Sequence, residues 1–102
     1  MMTHSKCLGD AALVALGQNC HQLTAIDTSR CILITDVGIF MLAEGCPLLQ
    51  DINVRGCYLL GNASIVSMGY YCHNLMTLNI THSKFITCAD KLGLNKDCRI
   101  IK

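Results

Sequence analysis

Eight cysteines in 102 residues, two of them followed by histidine in Cys20-His21 and Cys72-His73, are the side chains with the most chemistry to offer. Converging thiolates hold zinc, a thiolate beside an imidazole is a nucleophile, and paired thiols form disulfides. Their spacing argues against all three. A closed zinc site draws on close pairs such as Cys-x-x-Cys, and none occurs. Cys20, Cys46, Cys72 and Cys98 instead recur at one constant interval, and Cys31 and Cys57 repeat that interval. Such regularity marks a repeat in which cysteine serves as a small buried apolar residue. Cys46 and Cys72 also fall where helices are expected to end, and the helix dipole disfavours a thiolate there. His21 and His73 then cover a helix end or face solvent. With no Gly-rich phosphate loop, metal-binding carboxylate pair or nucleophile elbow, the chain reads as no enzyme, with no cofactor and no metal.

Composition narrows the remaining classes. Eight Lys plus Arg against seven Asp plus Glu give no overall attraction to nucleic acid or acidic lipid. Hydrophobic residues make up 52% of the chain, yet no apolar run approaches the ~20 residues of a membrane helix. That content belongs to a core, and the length suits one domain. The start, Met-Met-Thr-His-Ser-Lys, does not read as a secretory signal, so a reducing intracellular setting, cytoplasmic or nuclear, is expected. The sequons at Asn62 and Asn79 then meet no glycosylation machinery, and Asn62 reads as a helix cap.

The elements that position these residues follow from the same period. A shift of 26 superposes Leu23, Leu49, Leu75 and Ile101, then Ile26, Ile52 and Leu78, then Leu8, Ile34, Leu60 and Ile86. Leu16, Leu42, Met68 and Leu94 form a helical column, each four residues before a cysteine of the first series. Thr3-His4-Ser5-Lys6 recurs as Thr81-His82-Ser83-Lys84, three periods on. Within a period, alternation around Ile52 and Val54 predicts a short strand, and Ile39, Leu42 and Cys46 share one helical face. Asp10, Asp36 and Asn62 stand where N-caps belong. Each period is therefore strand, turn, helix, and stacked copies supply the core that one unit lacks. Strands join in one parallel sheet, and helices wider than the strand spacing on one side make the stack curve.

The run Cys-x-x-Leu-x-x-Ile-x-Thr-x-x-Cys-x-x-Ile-Thr-Asp-x-Gly-Ile-x-x-Leu-Ala-x-Gly-Cys, from Cys20 to Cys46, resembles the cysteine-containing leucine-rich repeat. It is similar to repeats of F-box and leucine-rich-repeat proteins and of antagonist-of-mitotic-exit-type proteins. The resemblance implies an α/β leucine-rich-repeat solenoid of about four repeats, with strands concave and helices convex. Periods are expected at about 1–19, 20–45, 46–71 and 72–97, with 98–102 starting another, as a section of a longer array or one whose ends a partner covers. It also implies protein–protein recognition, most directly the substrate-binding repeats of a cullin-type ubiquitin ligase whose adaptor binds a region absent here. The alternative is a scaffold subunit locked among neighbours, as in the dynein regulatory complex of the ciliary axoneme.

Some positions depart from the pattern. Thr28 replaces the aliphatic residue supplied by Val54 and Ile80, and Ser83 replaces the cysteine of Cys31 and Cys57. Ser83 is expected to be benign, a hydroxyl serving the turn as well as a thiol. Lys91 in an apolar column, Cys88 at the cap position and the polar Asn95-Lys96-Asp97 predict a last helix that is short or irregular. The open face of the sheet is the recognition surface, with columns Ala25/Asp51/Thr77, Asp27/Asn53/Asn79, Ser29/Arg55/Thr81 and Arg30/Gly56/His82. Partner contacts are expected from Asp27, Ser29, Arg30, Asp51, Asn53, Arg55, Thr77 and Asn79; the alternative for the same face is a solvated sheet on which Asp27, Asn53 and Asn79 form a hydrogen-bonded ladder.

Overall fold

The computed structural model describes residues 9–87, 89 and 92–102. The expectations for Thr3 to Leu8, Cys88 and Lys91 lie outside the described residues. Among those described the order is α1 (Asp10–Asn19), β1 (Ala25–Asp27), α2 (Asp36–Gly45), β2 (Asp51–Asn53), α3 (Asn62–Tyr71), β3 (Thr77–Asn79) and β4 (Arg99–Ile101). The four strands form one parallel sheet in chain order. Ala25 pairs with Asp51 and Asp51 with Thr77, each one full period on.

Each strand is three residues long, and the middle residue of the first three, Ile26, Ile52 or Leu78, is buried. These meet Leu13, Ile39, Leu42, Ile65 and Met68 from the helices in a single core, closed at the strand ends by Leu49, Leu75, Ile34 and Leu60. Burying one such side chain stabilises the fold by about 1.5–3 kcal/mol. Helices and strands this short are not stable alone, so the stack supplies their stability.

The helix starts differ from expectation by one residue. Gly9, Thr35 and Gly61 are the N-caps, so Asp10, Asp36 and Asn62 occupy the first helical position and do not cap their own helices. Their oxygens reach the following segment instead. Asp10 accepts from the Thr35 N–H at 2.8 Å, Asp36 from the Gly61 N–H at 3.0 Å, and Asn62 from the Thr87 N–H at 3.0 Å. The hydroxyls of Thr35 and Ser64 donate to the same two carboxylates. These amides thus find acceptors 25 residues back in the chain, and the pairing fixes the lateral register of successive helices.

The last segment also differs. Arg99 pairs with Thr77 four positions short of a full period, so Ile100 continues the buried strand column and Ile101 stands opposite Asn79. The expected column Leu23, Leu49, Leu75 and Ile101 therefore stops at Leu75. The 26-residue phase holds as far as Leu94: a side chain added at Gly69 would meet the Gly93 carbonyl and the Leu94 N, as one at Gly17 would meet Met41 and Leu42. The four missing residues, about one helical turn, come out between Leu94 and β4. Cys98 is displaced with them and does not occupy the place of Cys72.

Candidate functional site

Cys20, Cys46 and Cys72 are the C-caps of α1, α2 and α3. The second and third of these thiols point back along the stack. Cys46 Sγ donates to the Cys20 carbonyl at 3.2 Å and Cys72 Sγ to the Cys46 carbonyl at 3.7 Å. Cys57 Sγ donates to the Thr28 carbonyl at 3.1 Å. Cysteine suits these places because it is small and apolar yet carries a weak donor for carbonyls left over at helix ends and turns. Burial pushes the Cys72 thiol from 9.0 up to about 12, with the neighbouring Cys46 adding to it. Burial raises Cys46, Cys57 and Cys98 as well. In the folded chain these groups remain protonated thiols at neutral pH. His21 Nδ1 donates to the Gly45 carbonyl at 2.8 Å, covering the C-terminal end of α2.

The two departures from the repeat behave differently. The Thr28 hydroxyl, in a residue 1% exposed, donates to the Asn53 carbonyl at 3.3 Å and lies 3.8 Å from Cys57 Sγ. The Ser83 hydroxyl is buried and finds no partner among the described residues, so the substitution is not the benign one expected. A C–O bond is shorter than C–S and an O–H···O bond needs closer approach. On the same backbone a hydroxyl therefore reaches less far toward a carbonyl than a thiol does.

The sheet face opposite the helices is open and polar. A groove of about 320 Å³ runs across it, lined by Ala25, Asp27, Asp51, Asn53, Thr77, Asn79 and Ile101 over the strand residues Ile26 and Ile52. It brings together five of the expected contact residues, Asp27, Asp51, Asn53, Thr77 and Asn79. Ser29, Arg30 and Arg55 lie beyond the strand ends and outside that lining. Ile101 joins through the shortened last segment, for which the cysteine spacing had offered no signal.

Asp27, Asn53 and Asn79 do not form a ladder across the strands. Each accepts from the backbone N–H two residues ahead, at Ser29, Arg55 and Thr81, at 2.9–3.0 Å. These are Asx turns, which close the strand end locally. The Thr81 hydroxyl adds a bond to Asn79 at 2.7 Å. With one oxygen of each side chain used in its turn, the second Asp27 oxygen and the amide NH₂ groups of Asn53 and Asn79 are left for a partner. Asp27 and Asp51 make the described lining acidic.

Beyond the turns, Arg30, Gly56 and His82 share a left-handed backbone, with φ of 64°, 74° and 69°. The Arg30 N–H donates to the Arg55 carbonyl at 2.6 Å and the Gly56 N–H to the Thr81 carbonyl at 2.9 Å. Gly56 lies under the Arg30 side chain, where an added Cβ would come within 3.3 Å of Cγ. The left-handed turn thus positions the Arg30 stem at the rim of the face, at a cost of about 1–2 kcal/mol for a non-glycine residue.

Helices on one face of a parallel sheet, with an open polar face on the other, define a one-sided α/β protein. No protein-family model matches the chain, and no curated protein matches it. Among solved structures, a chain in the crystal structure of the Rad7 and Elc1 complex in yeast is similar, with a TM-score of 0.78 at 21% identity. The match covers 92% of this chain and 23% of that one. The likeness is one of fold, and this chain spans less than a quarter of the length of that one.

Proposed function

We propose that the chain is a non-catalytic protein-recognition module, a leucine-rich-repeat solenoid of three full 26-residue units and one shortened unit. Its open sheet face binds the partner. The observation that carries the reading is that face: a parallel sheet, an arrangement normally covered on both sides, presents a groove on which the Asp51 carboxylate, the second Asp27 oxygen and the Asn53 and Asn79 NH₂ groups have no partner among the described residues. The partner contacts are Asp27, Asp51, Asn53, Thr77 and Asn79, with Arg30, Arg55 and Ser29 at the rim. The acidic lining favours a partner segment that presents Lys, Arg or backbone N–H groups.

The likeness to a chain crystallised with a second protein and the resemblance of the repeats to F-box and leucine-rich-repeat proteins support one setting above others. The module holds substrate for a cullin-type ubiquitin ligase in the cytoplasm or nucleus, with the adaptor bound elsewhere on a longer chain. Photo-crosslinking from Asn53 in the full-length protein tests this. The expected product is a protein whose ubiquitination depends on the chain and is lost with Asp27→Lys and Asp51→Lys. Crosslinking unaffected by these reversals removes the face from the account. A permanent stoichiometric neighbour that is not ubiquitinated favours a scaffold subunit instead.

A further inference from the structure

The turn leading from each strand toward the next helix carries a row of large apolar side chains in solvent. Leu33, Leu59 and Phe85, each one period after the last, are 61%, 51% and 54% exposed. Parallel bridges of Gly9 with Leu33 and of Gly61 with Phe85 hold the row on ordered backbone. Beside the first two stand Ile32 and Tyr58, 52% and 49% exposed. Beside Phe85 stands Lys84, its ammonium 5.4 Å from the ring centroid. A contiguous apolar row of this kind exceeds the scattered exposure of an ordinary surface.

Charge sets the direction of the row. Tyr58 and Lys84 also line a cavity of about 570 Å³, floored by Ile80, Ile86 and Ala89, to which Lys102 and His82 contribute. No acidic side chain is among its described lining residues. The row therefore ends at Phe85 beside a cationic, apolar-floored cavity. Its spacing follows the strands, roughly 4.8 Å apart, while an α-helix returns a side chain to one face every ~5.4 Å. A helix laid across the turns would meet Leu33, Leu59 and Phe85 with residues at i, i+4 and i+7.

We propose that this edge is a second docking surface, separate from the sheet face, that binds an amphipathic helix of a partner protein. The helix carries apolar residues at i, i+4 and i+7 and acidic residues at the end that meets Lys84 and Lys102. The apolar row supplies affinity and the cationic cavity sets polarity and selects against basic helices.

The test uses the purified chain and two fluorescein-labelled, hydrocarbon-stapled helical peptides with leucine at i, i+4 and i+7. One carries glutamates in its last turn and the other lysines at the same positions. Anisotropy titration is expected to show saturable micromolar binding of the glutamate peptide and binding about tenfold or more weaker for the lysine peptide. Leu59→Asp, at an exposed site, is expected to weaken the glutamate peptide by about tenfold or more. Lys84→Glu with Lys102→Glu is expected to reverse the preference, and Asp27→Lys to leave it unchanged. Circular dichroism checks that each variant is folded. The proposal is overturned by no saturable binding in the micromolar range, by equal affinity for the two peptides, or by indifference to Leu59→Asp. It is overturned equally if the chain ignores both peptides but sediments with phosphatidylserine vesicles in a Leu59-dependent way, since the edge would then be a lipid-binding surface.

Discussion

The stretch from Asp10 to Asn79 and the stretch from Ile80 to Lys102 place strands in the same sheet, yet differ in what stands behind them. Behind β1, β2 and β3 the connections hold ten-residue helices, and an Asp or Asn at each helix start reaches the amide of the next segment. Behind β4 the connection is a helical turn shorter, Cys98 Sγ turns to the adjacent Arg99 carbonyl at 3.9 Å, and Ile100 is only half-buried. Strand pairing and the packing of Leu92, Leu94, Cys98 and Ile100 against the core therefore add β4, while side-chain bonds between segments accompany the 26-residue phase. The entry of Ile101 to the open face arises where that phase is lost.

The sharpest way to expose this difference is truncation within one strand column. Leu78→Ala, at a fully buried site, is expected to destabilise by about 2–5 kcal/mol, whereas Ile100→Ala costs about 1 kcal/mol or less. Urea unfolding measures both, and equal losses would make β4 as integral as β3. A smaller effect is expected from Asp36→Ala, which strips the acceptor from the Gly61 N–H and the Ser64 hydroxyl. About 1–3 kcal/mol is lost. Asp36→Asn should recover most of it, because Asn62 already holds Thr87 with an amide.

Thiol ionisation separates the buried ladder from solvent in another way. The Cys72 pKa is raised in the folded state, from 9.0 to about 12. The proton is held more tightly in the native chain than in the unfolded one. Stability from this source is complete below about pH 9 and is lost as pH rises toward about 12. Urea midpoints should be level between about pH 7 and 8 and fall above 9, with a shallower fall in Cys72→Ala. The smallest change expected is a gain: Ser83→Ala removes a buried hydroxyl without a partner among the described residues and raises stability by up to about 1 kcal/mol.

The period and the buried columns were legible because identical environments select identical residue types: Ile26, Ile52 and Leu78 answer one position, and Leu13, Ile39 and Ile65 another. The open face followed from the same alternation, so Asp27, Asn53 and Asn79 could be placed in one row. Their bonds could not be. An Asx turn and a cross-strand ladder ask for the same residues, and only backbone geometry decides between them. Asp36 could be assigned to a helix start but not to the Gly61 amide, because that acceptor role depends on how two segments stack. Cys98 misled for a different reason: it keeps the 26-residue count while the chain around it has lost a turn. The exposed row of Leu33, Leu59 and Phe85 carries the same period as the core, and sequence spacing alone does not separate the two.

Native-state hydrogen exchange under increasing denaturant tests most directly the claim that three in-phase segments carry the fold. The amides of Thr28 and Val54, which donate to the Asn53 and Asn79 carbonyls, are compared with those of Ile80 and Arg99, which join β3 to β4. The predicted result is that Thr28 and Val54 exchange through global unfolding alone, while Ile80 and Arg99 exchange through a smaller local opening. A single opening free energy for all four amides would contradict the account.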